Sequence, residues 1–404
     1  MTETTPVEGL RPMERAEGCP FDPPERLAAL RDEQPLVPMA YPDDHIGWLA
    51  TSHEMVRAVL ADDRLSHRAE LNHSPVAMTT VTDKPQPAPP GSFTVMDPPE
   101  HTRYRQLLTG QFTVRRMRQL TDRVHELVTE HLDAMEKHGP PVDLCEALTV
   151  PIPGLIICEL LGVAAGERVG FQRDLTVLMT LNASREDKIA ASARLGQFLR
   201  DLVLAKRAEP ADDLLSGLVA NDDLTEEELI NISGIVLGAG FDTTANMLAM
   251  SAYALMSNPD QVDILLSEPE NTDKAVEELL RYLSVTGGTM RTALEDIELG
   301  GQPIKAGQTI TVSLPTANRD PKRFPDNPDS LDLHRSATGH LAFGHGIHQC
   351  LGQQLARVEI RVTIPELFRR FPTLRLAVTP EEVPMRTDMM IYGAHRLPVT
   401  WDTV

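Results

Sequence analysis

From Leu229 to Met256 the chain runs for 28 residues with a single charge, Asp242. Apolar residues fall on every side of a helix drawn through this stretch, so it has no solvent face. Such a helix either crosses a membrane or is buried through the middle of a large core. Asn231, Ser233, Asp242, Thr243, Thr244 and Asn246 interrupt the apolar run and argue for the core. The rest of the chain must then close around this element on all sides.

Its 404 residues suffice for that. With 38 basic and 59 acidic side chains the formal charge is −21, which argues for solubility and against nonspecific binding of nucleic acid. The four cysteines, Cys19, Cys145, Cys158 and Cys350, lie far apart. They are too sparse for a disulfide scaffold and fit a reducing, cytoplasmic setting. The N-terminus, MTETTPVEGLRPMERAEGCPFDPP, lacks the apolar run of a signal peptide or anchor. Residues 1–20 are expected as an arm and 21–404 as one domain, because no compositional shift marks a linker.

Helices are expected at 22–35 and 53–64, with a strand-like segment over 41–52. Residues 73–99, rich in Pro, Ser and Thr, read as a long loop, functional or mobile. Helical periodicity then covers about 99–109, 115–137, 151–162, 166–181, 186–207, 225–256, 259–267 and 271–284. Thr225 before three glutamates is an N-cap with an acidic first turn. From 289 to 314, Gly-Gly and Ala-Gly turns separate short strands. A Pro- and Asp-rich meander at 318–339, a last helix at 350–371 and short strands in 373–403 complete a mainly α fold with smaller β-sheets (α+β).

The densest cluster of unusual residues is Phe343-Gly-His-Gly-Ile-His-Gln-Cys-Leu-Gly352. Cys350 sits where a glycine-punctuated loop meets a helix start, whose dipole and free N–H groups favour thiolate over thiol. Gly344, Gly346 and Gly352 leave room for a flat, bulky group against the backbone, and Phe343 can shield one side of the sulfur. Two other readings stand beside this one. Cys350 is an inert core thiol, or His340, His345, His348 and Cys350 bind zinc, although their spacing is unlike the usual zinc sets.

FGHGIHQCLG resembles the haem-binding loop of cytochromes P450. Further motifs follow in the family's order and extend the resemblance from about residue 20 to the C-terminus. The resemblance implies haem b, with the Cys350 thiolate on the iron pushing electron density toward O–O cleavage. Glu278-Leu-Leu-Arg281 resembles the family's buried E-x-x-R pair, and Arg335 of FPDNPDSLDLHR supplies the third, structural member. Ala239-Gly-Phe-Asp-Thr-Thr244 resembles the oxygen-activating acid–alcohol pair. On that match Thr243 bonds iron-bound oxygen and Asp242 relays protons inward. Gly240 beside a back-bonding threonine is expected to distort the helix and open a groove. His101, Arg105, Arg291 and His348 match the positions that hold the haem propionates, which need cations or strong donors. Arg103, Arg115, Arg116 or Arg357 are expected as a basic patch for an acidic iron–sulfur partner.

The implied activity is that of a soluble bacterial P450, a monomeric haem-thiolate monooxygenase. It hydroxylates or epoxidises a sizeable hydrophobic substrate, foremost a polyketide or macrolide natural product, in an antibiotic pathway. Electrons come from a ferredoxin and its reductase. Rival readings are a peroxygenase, oxidative ring formation or coupling, and a non-catalytic haem sensor. The substrate pocket is expected from Leu237, Ala239, Phe241, Thr286, Thr289 and Ile391 together with the loop at 73–96.

Overall fold

A computed structural model describes residues 6–7, 14–77, 86–111 and 113–403. The long apolar segment is one helix, Glu226–Met256, and 19 of its 31 residues are buried. Its start is fixed by a reciprocal cap. The Thr225 hydroxyl accepts from the Glu228 amide at 3.2 Å, and Glu228 accepts from the Thr225 amide at 2.7 Å. Burial works against the Glu228 charge, but donors from Arg103, Tyr104 and Thr225 outweigh it and hold its pKa down to about 2. Glu228 thus ties the central helix to helix Glu100–Thr109. Beside it, a Cβ on Gly91 would lie 2.6 Å from the Glu228 carbonyl, and Asn231 donates to the Pro90 carbonyl at 2.8 Å. The stretch entering residue 93 is therefore clamped to the first turns of the central helix.

Helices Pro151–Leu161, Arg185–Ala208 and Gln353–Arg370 pack around the central helix. Gly240 permits the closest approach: a Cβ there would sit 2.6 Å from Ile157 Cδ1. The expected distortion at Gly240 is absent. The helix is unbroken, and Thr243 donates to the Ala239 carbonyl at 2.7 Å without disturbing it. Gly240 serves packing instead.

A five-stranded sheet flanks the helices in the order Leu36–Ala40, Ile46–Ala50, Thr309–Ser313, Gly288–Ala293, Leu65–Ser66. The strand expected at 41–52 is in fact a hairpin. The turn at 41–45 is closed by Tyr41 and His45, with Asp44 at φ 66°. Ile46–Ala50 then runs parallel to Thr309–Ser313. Of the expected tail strands only Arg375–Leu376 and Pro398–Thr400 form, pairing with each other and with Val142–Asp143. The segment 318–339 lacks regular structure.

That segment is held by buried charge. Glu278 and Arg281 are both 0% exposed, and Arg281 donates to Glu278 at 2.7 and 2.8 Å. Arg335 donates to Glu278 at 3.2 Å and to the Pro325, Asp326 and Asn327 carbonyls. The helix Thr272–Leu283 and the irregular segment are thereby locked together at a point where water cannot compete.

Candidate active site

One cavity of about 340 Å³ brings most of the sequence candidates together. It is bounded by the loop carrying Cys350, by the central helix and by strand Gly288–Ala293. Phe343, His348, Cys350 and Gly352 line it, as do His101, Arg105 and Arg291 from two other elements. Thr243 and Ala239 face it from the central helix, and Thr286 and Thr289 from the strand side.

The loop is shaped by its glycines and one hydrogen bond. Gly344 and Gly346 have φ of 69° and 75°, and any Cβ on Gly346 would strike the Leu60 carbonyl. The Cys350 amide donates to the Phe343 carbonyl at 2.9 Å, which sets sulfur and ring side by side. Arg357 lies 4.6 Å over the Phe343 ring. The Cys350 thiol itself is pushed up in pKa by burial, which outweighs the Gly352 and Gln353 amides and the charges of Arg105 and Arg357. The helix-start argument for a thiolate is thus too weak alone, and a cation on the sulfur is needed to remove its proton.

The zinc alternative fails on geometry. His340 bonds Glu277, His345 bonds Arg57, and only His348 and Cys350 face the cavity. Among the described residues no three potential ligands converge.

The cations tell what the cavity is built for. Arg291 is buried with no ion-pair partner among the described residues; its pKa is lowered to about 10 by burial. Arg105 bonds only the Gln349 carbonyl. Both ring nitrogens of His101 and Nε2 of His348 are buried without partners, and the two rings lie 4.2 Å apart. His67, which sequence reasoning missed, joins them: its ring lies 4.9 Å from His348 and bonds Thr289. Nothing in the sequence near Leu65–Ser66 marks it, since only the pairing with strand Gly288–Ala293 carries it there. Burial first, then mutual repulsion and Arg291, lowers His348 to about 2 and His67 to about 3. Buried cations and donors without an anion require one. A flat group with two carboxylates at this edge and a metal over Cys350 fits haem.

Asp242 does not face this cavity. It lies on the other side of the helix, against a second cavity, paired with Arg386 at 2.7 and 3.1 Å. Leu237 and Phe241 also miss the main cavity. One helical face carries Val236, Ala239, Gly240, Thr243 and Met247 into it, and positions 237 and 241 fall on the next face. Phe241 instead packs on Phe171, 6.4 Å between ring centres. Ile391 bridges Thr286 from outside and does not line the cavity. Positions 78–85 of the expected substrate loop lie outside the described residues, but Phe93 and Thr94 beyond them reach the cavity. Ile157 and Leu160, from a helix not suspected in sequence, complete its wall.

The basic patch is not free charge. Arg103 bonds Glu228, Arg115 and Arg116 pair with Asp212, and Arg357 pairs with Glu277 at 2.5 Å. Among the described residues no helix is long and apolar enough to cross a membrane.

Comparison with known proteins agrees with this geometry. Residues 177–395 match the family model for cytochrome P450. The chain is 49% identical over 383 residues to cytochrome P450 105C1 of a Streptomyces species, covering 94% of this chain and 96% of that one. It superposes with a TM-score of 0.89 on CYP105P1 in complex with filipin I, at 39% identity over 99% and 98% of the two chains. It superposes at 0.86 on the LnmA P450 hydroxylase of the leinamycin pathway of Streptomyces atroolivaceus, at 41% identity over 96% and 99%. A cysteine loop, a cluster of cations awaiting carboxylates and a threonine-bearing helix around one cavity thus have the same explanation as the sequence likeness: the chain belongs to the cytochrome P450 family and is a monooxygenase that carries haem b.

Proposed function

We propose that this monooxygenase hydroxylates or epoxidises a sizeable hydrophobic natural product of the polyketide or macrolide kind, with electrons from a ferredoxin and its reductase. The observation that carries this reading is the cavity wall opposite Cys350. It is mainly apolar, with Thr94, Thr286 and Thr289 as the hydroxyls that can orient a large ligand. Relatives bound to filipin I or working in the leinamycin pathway support the class of substrate. Residues 21–404 act in this reading as one haem domain, supported by a single apolar cluster running from Phe21 to Trp401.

In this reading Cys350 holds the iron and His101, Arg105, Arg291 and His348 hold the two propionates. The haem supplies the activation of dioxygen. Phe343 and Arg357 crowd the sulfur and keep water from it. The Thr243 hydroxyl, bonded to the Ala239 carbonyl, keeps its oxygen turned toward the cavity as an acceptor. Asp242, held on the solvent side by Arg386, is the acid that replenishes a proton at Thr243. Glu278, Arg281 and Arg335 brace the segment behind the cysteine loop.

Binding spectra against macrolides, ansamycins, terpenes and fatty acids test the substrate class, with turnover by NAD(P)H, ferredoxin and reductase as the second step. A substrate-induced shift for the macrolides or ansamycins and an oxygenated product are expected. Tight binding and turnover of fatty acids alone would overturn the assignment.

A further inference from the structure

The cavity has one acid that neither the family motifs nor the relay uses. Glu359 lies on helix Gln353–Arg370, 2% exposed, and lines the same cavity as Cys350 and Thr243. Its Oε2 is buried without a partner. The cation nearest in sequence, Arg357, is turned to Glu277 and does not reach it. One turn further along the same face, the Thr363 hydroxyl is buried and unpartnered as well. The central helix, which packs against this one, repeats the pattern. Thr244 and Met247 line the cavity, and Ser251, one turn beyond Met247, is 0% exposed with an unpartnered hydroxyl. Orphan polar atoms on two facing helices are rare and need an explanation.

We propose that Glu359 is a second proton-holding group of the site, a neutral carboxylic acid that donates into the cavity, with the Thr363 and Ser251 hydroxyls behind it. This rests on the monooxygenase reading, in which splitting dioxygen to water takes up two protons with two electrons from the ferredoxin. In the step assigned to Glu359 its O–H bond breaks and the proton passes to cavity water. A carboxylate remains, and a proton taken back from cavity water restores the acid. Thr363 and Ser251 can each donate to the transient carboxylate. Complete burial with no compensating charge raises the Glu359 pKa well above the usual carboxylate range, consistent with an acid loaded at neutral pH.

The decisive measurement is infrared spectroscopy of the ferric holoenzyme in H2O and D2O. A protonated-carboxyl C=O band should be present, shift in D2O and vanish in Glu359→Gln. Spectra of wild type and Glu359→Gln that coincide in this region overturn the proposal. If Glu359→Gln fails to load haem, Glu359→Asp must move the same band, and an unmoved band likewise overturns it. The second arm compares product formed per NAD(P)H consumed. Glu359→Gln should lower it about tenfold, at the weak end for a positioned proton donor. Thr363→Val should lower it less. Both losses should be several times smaller when hydrogen peroxide, which brings its own protons and electrons, replaces dioxygen. Equal losses by both routes would make Glu359 merely structural. If the wild type gives neither turnover nor the red-shifted carbon monoxide band, it is the monooxygenase reading that fails, and the infrared band still decides the state of Glu359.

Discussion

Arg386 grips Asp242 with both ends of its guanidinium, at 2.7 and 3.1 Å, on the side of the central helix turned away from Thr243. Acid and alcohol are neighbours in sequence yet open into different cavities. The second cavity also holds the buried, unpartnered Thr149 hydroxyl and Gln172 amide nitrogen, a polar lining suited to water. Asp242→Asn should keep the carbon monoxide band but slow product formation by about 100-fold, the scale of a lost general acid. Stopped-flow kinetics in H2O and D2O would check this through an enlarged solvent isotope effect. Arg386→Leu should cost about 1–3 kcal/mol, because it leaves a half-buried carboxylate unpaired beside a water-accessible cavity. Urea unfolding measures that loss.

Removing Glu278 should be among the most damaging single changes outside the cavity. Glu278→Ala leaves Arg281 and Arg335 buried without a counter-charge, a loss of about 3–5 kcal/mol for a broken buried pair. The expected phenotype is protein with little bound haem, read as the ratio of Soret to protein absorbance.

The histidine cluster makes the haem-free protein acid-sensitive. His67 and His348 have folded pKa values lowered from 6.5 to about 3 and about 2. Below pH 6.5 the unfolded chain binds protons that the folded chain refuses. Stability is therefore full above pH 6.5 and is lost as pH falls toward the folded values. The loss reaches up to about 1.4 kcal/mol per histidine for each pH unit. Unfolding of haem-free protein at pH 7.5 and 5.5 should show it. Haem-loaded protein should show less, since bound propionates would let these rings take up protons while folded.

Two neighbouring positions separate cavity from core. Ala239→Leu should weaken binding of a bulky substrate while leaving stability within about 1 kcal/mol, because its side chain enters open space. Phe241→Ala should destabilise by about 3–5 kcal/mol and leave binding spectra close to wild type. Opposite outcomes would mean that the helix is turned by one position.

The central helix was legible because burial on all sides leaves no other reading of 28 nearly uncharged residues. The cysteine loop was legible because its glycines and cysteine are tied by local geometry. Facing directions were not. Leu237 and Phe241 looked as suitable as Val236 until the neighbours Ile157 and Phe171 fixed the helix rotation. His67 and Glu359 were invisible for a related reason. Each is ordinary in its own segment and acquires meaning only from a partner far away in sequence. The basic patch failed because nearby carboxylates on other elements cancel each arginine, which composition along the chain does not reveal.

The clamp at Gly91, Asn231 and Glu228 separates two tasks that share one stretch of chain. Upstream of it lies the loop leading to Phe93 and Thr94; downstream lies the helix carrying His101 and Arg105. Glu228 fixes the downstream helix through Arg103 and Tyr104 whatever residues occupy the loop. Over evolutionary time, insertions and substitutions before Gly91 can retune which molecule is accepted without loosening the hold on the cofactor. In this chain selectivity and retention are inherited as separate modules, with their border at a single glycine.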